Sequence, residues 1–156
     1  MALPVITRLR QKVAQAISGM SKPTYNYNWS SVNQWDETRA LGELSANVHM
    51  HDYEPIGIDS EQGNDLYELK AEALIKVNMR KIEINYEDAM TSAEKASNDL
   101  MRLFGNVLTM EDTSYIPRFL GMNFQLTMDK NKPISFEQRW VFDLSFTRTD
   151  PTVIGV

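Results

Sequence analysis

Cysteine is absent from all 156 residues, which excludes a disulfide scaffold, thiolate metal sites and a cysteine nucleophile. Histidine is almost as scarce. His49 and His51 are the only two, and they leave little room for histidine-based catalysis. The few glycines build no phosphate cradle: Gly105, Gly121 and Gly155 stand alone, and no Gly-x-x-x-x-Gly-Lys run occurs. Serine nucleophile elbows are missing as well. No apolar run approaches the ~18 residues of a membrane helix. Arg8, Arg10 and Lys12 follow too soon after Met1-Ala2-Leu3-Pro4-Val5-Ile6 for a signal-peptide core. A cationic surplus is lacking too: 16 basic residues against 21 acidic give a net charge of −5, which argues against a general polyanion binder. The expectation is a soluble, cytoplasmic protein without enzymatic activity or a cofactor.

What is present suits one packed domain. Hydrophobic residues make up 42% and charged residues 24% of the chain, close to average globular usage, and the length serves one core better than two. Residues 1–20 read as an N-terminal helix. Val5, Ile6, Leu9, Val13, Ala16 and Ile17 recur at steps of three and four, with Pro4 suited to the first turn and Gly19 to the exit. No acid precedes Asp36, so this is the one basic segment. It either packs its apolar stripe on the domain or serves as an arm to a neighbouring subunit.

Residues 24–68 are an irregular β region rich in acids. Tyr25, Tyr27 and Trp29 alternate with Asn26 and Asn28, the period of a half-buried strand. From Asp36 to Glu68 nine acids accumulate against Arg39 alone, and Pro55, Gly57, Gly63 and Asn64 supply turn chemistry. Ser45 to His51 reads as a strand, and Asp59 to Asp65 as an exposed acidic loop.

Residues 69–149 form the regular core of strand, helix and hairpin. Tyr67, Leu69, Ala71, Ala73, Ile75, Val77 and Met79 point one way; Lys70, Glu72, Leu74, Lys76, Asn78 and Arg80 point the other. Asn85 caps a helix with Glu87 and Asp88 in its first turn. The apolar positions from Tyr86 to Phe104 keep a helical period, and Gly105 stands where a left-handed residue commonly closes the helix. Leu120, Met122, Phe124, Leu126 and Met128, a polar turn at Asp129 to Pro133, and the set Ile134, Phe136, Trp140, Phe142, Leu144 and Phe146 read as a long antiparallel hairpin. The predicted fold class is α+β: a mostly antiparallel sheet with a long β-hairpin, packed by a central α-helix, plus a short N-terminal helix. Residues 150–156 form a tail with little reason to be ordered alone.

Candidate sites are weighed on that frame. His49 and His51 share a face of the Ser45–His51 strand near Asp52 and Glu54, a start for a metal site. The His-x-His-x-Asp-His pattern is broken by Tyr53 and Glu54, and no third histidine exists. Glu43, Asp52, Glu54 and Asp59 sit in turn-rich sequence where solvation, not acid–base work, is expected. Phe124, Trp140, Phe142 and Phe146 resemble a base-stacking platform, yet the core needs their faces. The strand face carrying Lys70, Glu72, Lys76 and Arg80, mixed with Leu74, is either solvated surface or an interface in which opposite charges set register between identical neighbours.

The block Leu69-Lys-Ala-Glu-Ala-Leu-Ile-Lys-Val-Asn-Met-Arg80, the segment Tyr86 to Gly105 and the hairpin ending Gln138-Arg-Trp-Val-Phe-Asp-Leu-Ser-Phe-Thr-Arg148 together resemble tail terminator (tail completion, or neck) proteins of tailed bacteriophages. Trp35 and Tyr53-Glu-Pro-Ile-Gly-Ile58 sit where that family places its early strands. The resemblance lies in the order of elements, not in a diagnostic motif, and the long acidic stretch departs from it. It implies a structural virion protein: a homo-hexameric ring that caps the tail tube, stops its polymerisation and joins the head connector. In contractile tails the sheath is a further partner. DNA passes through the lumen without specific binding, no membrane is involved, and assembly takes place in the host cytoplasm. Asp59, Glu61 and Asp65 are the candidates for the lumen lining. Two alternatives stand beside it: another neck, head–tail adaptor or baseplate component, and a small metal-binding domain built on His49 and His51.

Overall fold

The structure is a computed structural model, and it describes residues 3–29, 31–33, 44–57, 66–79, 85–125, 134–147 and 149–154. Helix α1 (Val5–Ser18) opens the fold. Val5, Leu9, Val13 and Ile17, each four residues apart, are fully buried, so the stripe expected from sequence is the packed one. The helix lies on the domain and is not an extended arm. Pro4 stands at the N-cap, one position before the first turn, and its carbonyl accepts the Arg8 N–H at 3.1 Å.

Residues 25–27 form bends and 28–29 are irregular, not the expected strand. The reason is a carboxylate on the second helix, α2 (Tyr86–Phe104). Asp99 is fully buried and accepts hydrogen bonds from Asn26 N (2.9 Å), Asn26 Nδ2 (2.8 Å), Tyr27 N (3.1 Å) and Trp29 Nε1 (3.1 Å). Those donors would otherwise seek strand partners. Arg102, one turn on, donates to Thr24 O at 2.8 Å and stacks over the Tyr25 ring. The alternation of Tyr25, Tyr27 and Trp29 thus reflects a strap laid across a helix.

The strands among the described residues are β1 (Ser31–Val32), β2 (Leu44–Gly57), β3 (Leu66–Met79), β4 (Leu108–Met110), β5 (Thr113–Tyr115), β6 (Arg118–Gln125), β7 (Ile134–Thr147) and β8 (Asp150–Ile154). The main sheet runs β1-β2-β3-β7-β6, with β8 also paired to β7. Every pairing in it is antiparallel except β1 with β2. The predicted α+β class, with its mostly antiparallel sheet, is therefore the observed one. Strand β2 extends six residues past the expected end at His51, because β3 offers a partner of equal length. The tail expected to lack order of its own contributes β8. Asp150 accepts from Thr152 N and Oγ1 at its start, and these bonds hold its carboxyl below the usual carboxylate range.

One face of this sheet is the core. Across the strands, Ala46, Val77 and Phe136 share a row, then Val48, Ile75 and Gln138, then Ala73 with Trp140 and Ala71 with Phe142; all of them are buried. Helices α1 and α2 pack against the sheet on this side. Phe104 of α2 stacks on Trp140 at 5.0 Å and meets Phe142 edge-on at 6.4 Å. Gln138 is the polar member of the row, fully buried. Its Nε2 donates to Ser97 O and Oγ at 3.0 and 2.8 Å, and its Oε1 accepts from Trp140 Nε1 at 2.9 Å. Both polar ends of the Gln138 amide are therefore bonded, as burial requires.

Two smaller expectations are corrected. Gly105 ends α2 at φ −69°, ψ −13° and Gly19 ends α1 at φ −80°, ψ −10°, both right-handed. At Gly105 a side chain would still crowd the Met101 carbonyl, 3.3 Å from an added Cβ. On β6 the expected core residues Leu120 and Met122 are 47% and 40% exposed, because β6 is the outer strand of the sheet. Among the described residues no helix is long and apolar enough to cross a membrane.

Candidate subunit-interface face

The second face of the sheet carries the polar half of each strand's alternation. In register across β2, β3, β7 and β6, its rows read Asn47, Lys76, Glu137, Asn123; His49, Leu74, Arg139, Gly121; and Asp52, Glu72, Val141, Arg118. Beyond them Lys70 lies between Glu54 and Asp143, and Glu68 between Gly57 and Ser145. The three described members of the predicted interface set, Lys70, Glu72 and Lys76, thus stand two or four residues apart on one face. Arg80, the fourth, lies outside the described residues, as do the predicted lumen residues Asp59, Glu61 and Asp65.

Opposite signs face each other across β3, β7 and β6, whereas Asp52 of β2 stands opposite Glu72. Lys76 is opposite Glu137 and Lys70 opposite Asp143. Arg139 reaches Glu72 at 3.5 Å, and Arg118 reaches Asp143 at 2.8 Å. On β3, β6 and β7 this face carries four cations (Lys70, Lys76, Arg118, Arg139) and four carboxylates (Glu68, Glu72, Glu137, Asp143), and β2 adds Asp52 and Glu54 to its register, so both signs are present with a small acidic surplus. Exposed pairs of this kind contribute only about 0–1 kcal/mol each to stability, so stability does not account for the pattern. Leu74 and Val141, half-buried and buried, run as an apolar seam between the charges.

Sequence reasoning took this face from β3 alone and missed its continuation through Arg118, Glu137, Arg139 and Asp143. The signal was there: Glu137, Arg139 and Asp143 occupy the alternate positions between Phe136, Trp140, Phe142 and Leu144. His49 is exposed on this face, opposite Leu74. The register shifts between Met50 and Asp52, so the plain alternation that set His49 and His51 on one face breaks at His51. Among the described residues no three His, Asp or Glu side chains gather as a metal ion needs. Of the aromatics weighed for base stacking, Trp140, Phe142 and Phe146 are buried in the core and Phe124 is half-buried at its rim.

The chain matches no protein-family model, and no curated protein matches it.

Proposed function

We propose that this chain is a ring-forming tail terminator, or neck, subunit of a tailed bacteriophage. In this role six copies cap the tail tube, stop its growth and join the tail to the head connector. The observation that carries the reading is the open face of mixed charge, with opposite signs facing each other across β3, β7 and β6, on a helix-backed antiparallel sheet. A protein that works by shape needs a stiff body and a surface that fixes how neighbours seat. Two packed layers supply the first. Charges of both signs at fixed spacing supply the second, since a neighbour out of register brings like charges together. The acidic balance fits a ring threaded by DNA, whose phosphates a negative lumen repels. Asp59, Glu61 and Asp65 are the residues we assign to that lining.

The test is the mass of the purified protein by light scattering, with negative-stain images of the same peak. The expected particle is a six-fold ring with a centre wider than the ~20 Å of a duplex. Should the protein be monomeric, tube subunits polymerised in its presence decide: tubes of limited length support the reading, and unlimited growth at stoichiometric protein overturns it. Retention by the head connector but not the tube would move the assignment to a head-side adaptor.

A further inference from the structure

Strand β6 differs from every other part of the main sheet's surface. It is the outer strand of the sheet order, and among the described residues no strand lies on its far side. Its outward N–H and C=O groups form a template for another strand. The opposite edge of the sheet is blunted: β1 covers Ser45 and Ala46, and the register of β2 shifts near His51 and again near Ile56, beside Pro55. Those are devices by which proteins discourage edge pairing. On β6 the one irregularity lies at Leu120; from Gly121 to Gln125 its register with β7 is unbroken.

Those five residues, Gly121-Met-Asn-Phe-Gln125, carry no charge. Met122 is 40% exposed and Phe124 is half-buried on the helix side of the edge, with Phe119 and Leu120 exposed beside them. On the open side, Gly121 leaves a shallow concavity of about 290 Å³ lined by Gly121, Met122, Asn123, Glu137 and Arg139. The backbone at Gly121 has φ 155°, a conformation that disfavours any side chain there, so the notch is built into the strand.

We propose that β6 pairs antiparallel with β6 of a second copy, about a two-fold axis through Asn123. The strand is complementary to itself in that register. Met122 meets Phe124 of the other copy on the helix side, twice by symmetry, a thioether–aromatic contact at a cross-strand position. On the open side Gln125 of the other copy stands opposite Gly121, where its amide enters the notch between Glu137 and Arg139 and finds both an acceptor and a donor. Arg118 lies beyond the paired stretch and is neutralised by Asp143, so no like charges oppose one another within it. The contact is small against the ~1,200 Å² at which stable interfaces begin. The dimer is therefore concentration-dependent. It is a two-fold contact, distinct from the head-to-tail contacts that close a ring, and it does not depend on the ring reading.

The absence of native cysteine makes the test direct. Residues directly opposite in an antiparallel pair have Cα atoms about 4.5–5.5 Å apart, inside the range a disulfide spans. Oxidised Asn123→Cys is expected to run as a covalent dimer on a non-reducing gel, and Glu94→Cys, on the exposed side of α2, as a monomer. In sedimentation, the parent protein should gain a species of twice its basal mass, whether that base is the subunit or the ring, as concentration rises. Asn123→Lys, which sets two ammonium groups face to face, should stay at the basal mass with an unchanged melting temperature. Equal cross-linking of the two cysteine variants, or self-association of Asn123→Lys like the parent, overturns the proposal. A six-fold ring that forms equally well with Asn123→Lys, where no Asn123→Cys cross-link appears, would leave the ring reading standing and remove this contact alone.

Discussion

Asp99 does at the scale of one residue what a strand partner does elsewhere in the sheet. Its carboxylate takes donors from Asn26, Tyr27 and Trp29 and so fixes the strap over α2. Asp99→Asn keeps the shape but turns one acceptor oxygen into a donor aimed at N–H groups. The expected loss is about 2–4 kcal/mol of unfolding free energy, since it strands buried donors; a loss below about 1 kcal/mol in denaturant titration would mean that packing alone holds the strap. Tyr115 shows the opposite economy. Its ring is buried and its hydroxyl has no hydrogen-bond partner among the described residues. Burial pushes its pKa up, the nearby Arg8 guanidinium pulls it down, and Glu111 pushes it up again. The net shift is upward, so the unfolded chain ionises first: stability is full below pH 10 and falls as pH rises through the folded-state value. Tyr115→Phe should therefore be neutral or stabilising by up to about 1 kcal/mol at pH 7. It should also shrink the alkaline loss seen in melting curves above pH 10. An unchanged alkaline profile would locate that loss elsewhere.

Among the elements, β3 and β7 separate what alternation reveals from what it hides. The buried face of β3 was legible residue by residue, because a strand's side-chain period is two and one side must meet the helices. Gln138 interrupts the same pattern on β7 and reads as a solvent residue until Ser97 and Trp140 are seen to satisfy it. Asp99 is hidden likewise: a carboxylate on the buried arc of a helix looks like surface when only apolar positions mark the core. The strap at 25–29 was misread because its periodicity comes from tertiary hydrogen bonds. On the open face, Lys70→Glu with Lys76→Glu sets like charges against Asp143 and Glu137. Unfolding free energy should fall by no more than ~2 kcal/mol, about 1 for each of the two pairs, while ring or tail assembly is lost. Normal assembly by this folded variant would take the open face out of the interface.

For the whole molecule, α+β class and a helix-covered, mostly antiparallel sheet followed from pattern and order. The candidate face emerged in part: three of its residues were marked on β3, but their partners on β6 and β7 depend on a register that no single strand displays. Strand order also decides why Phe119, Leu120 and Met122 are exposed: an apolar strand reads the same at the centre of a sheet as at its rim. Arg8 binds the Thr152 carbonyl of β8 and the Glu111 carboxylate at the turn between β4 and β5, so α1 is clamped by segments more than a hundred residues further along the chain. At ~5–20 residues per second, those two partners leave the ribosome on the order of ten seconds after α1. The packing of α1 on the sheet is therefore locked late in synthesis, by a residue that lies outside its apolar stripe.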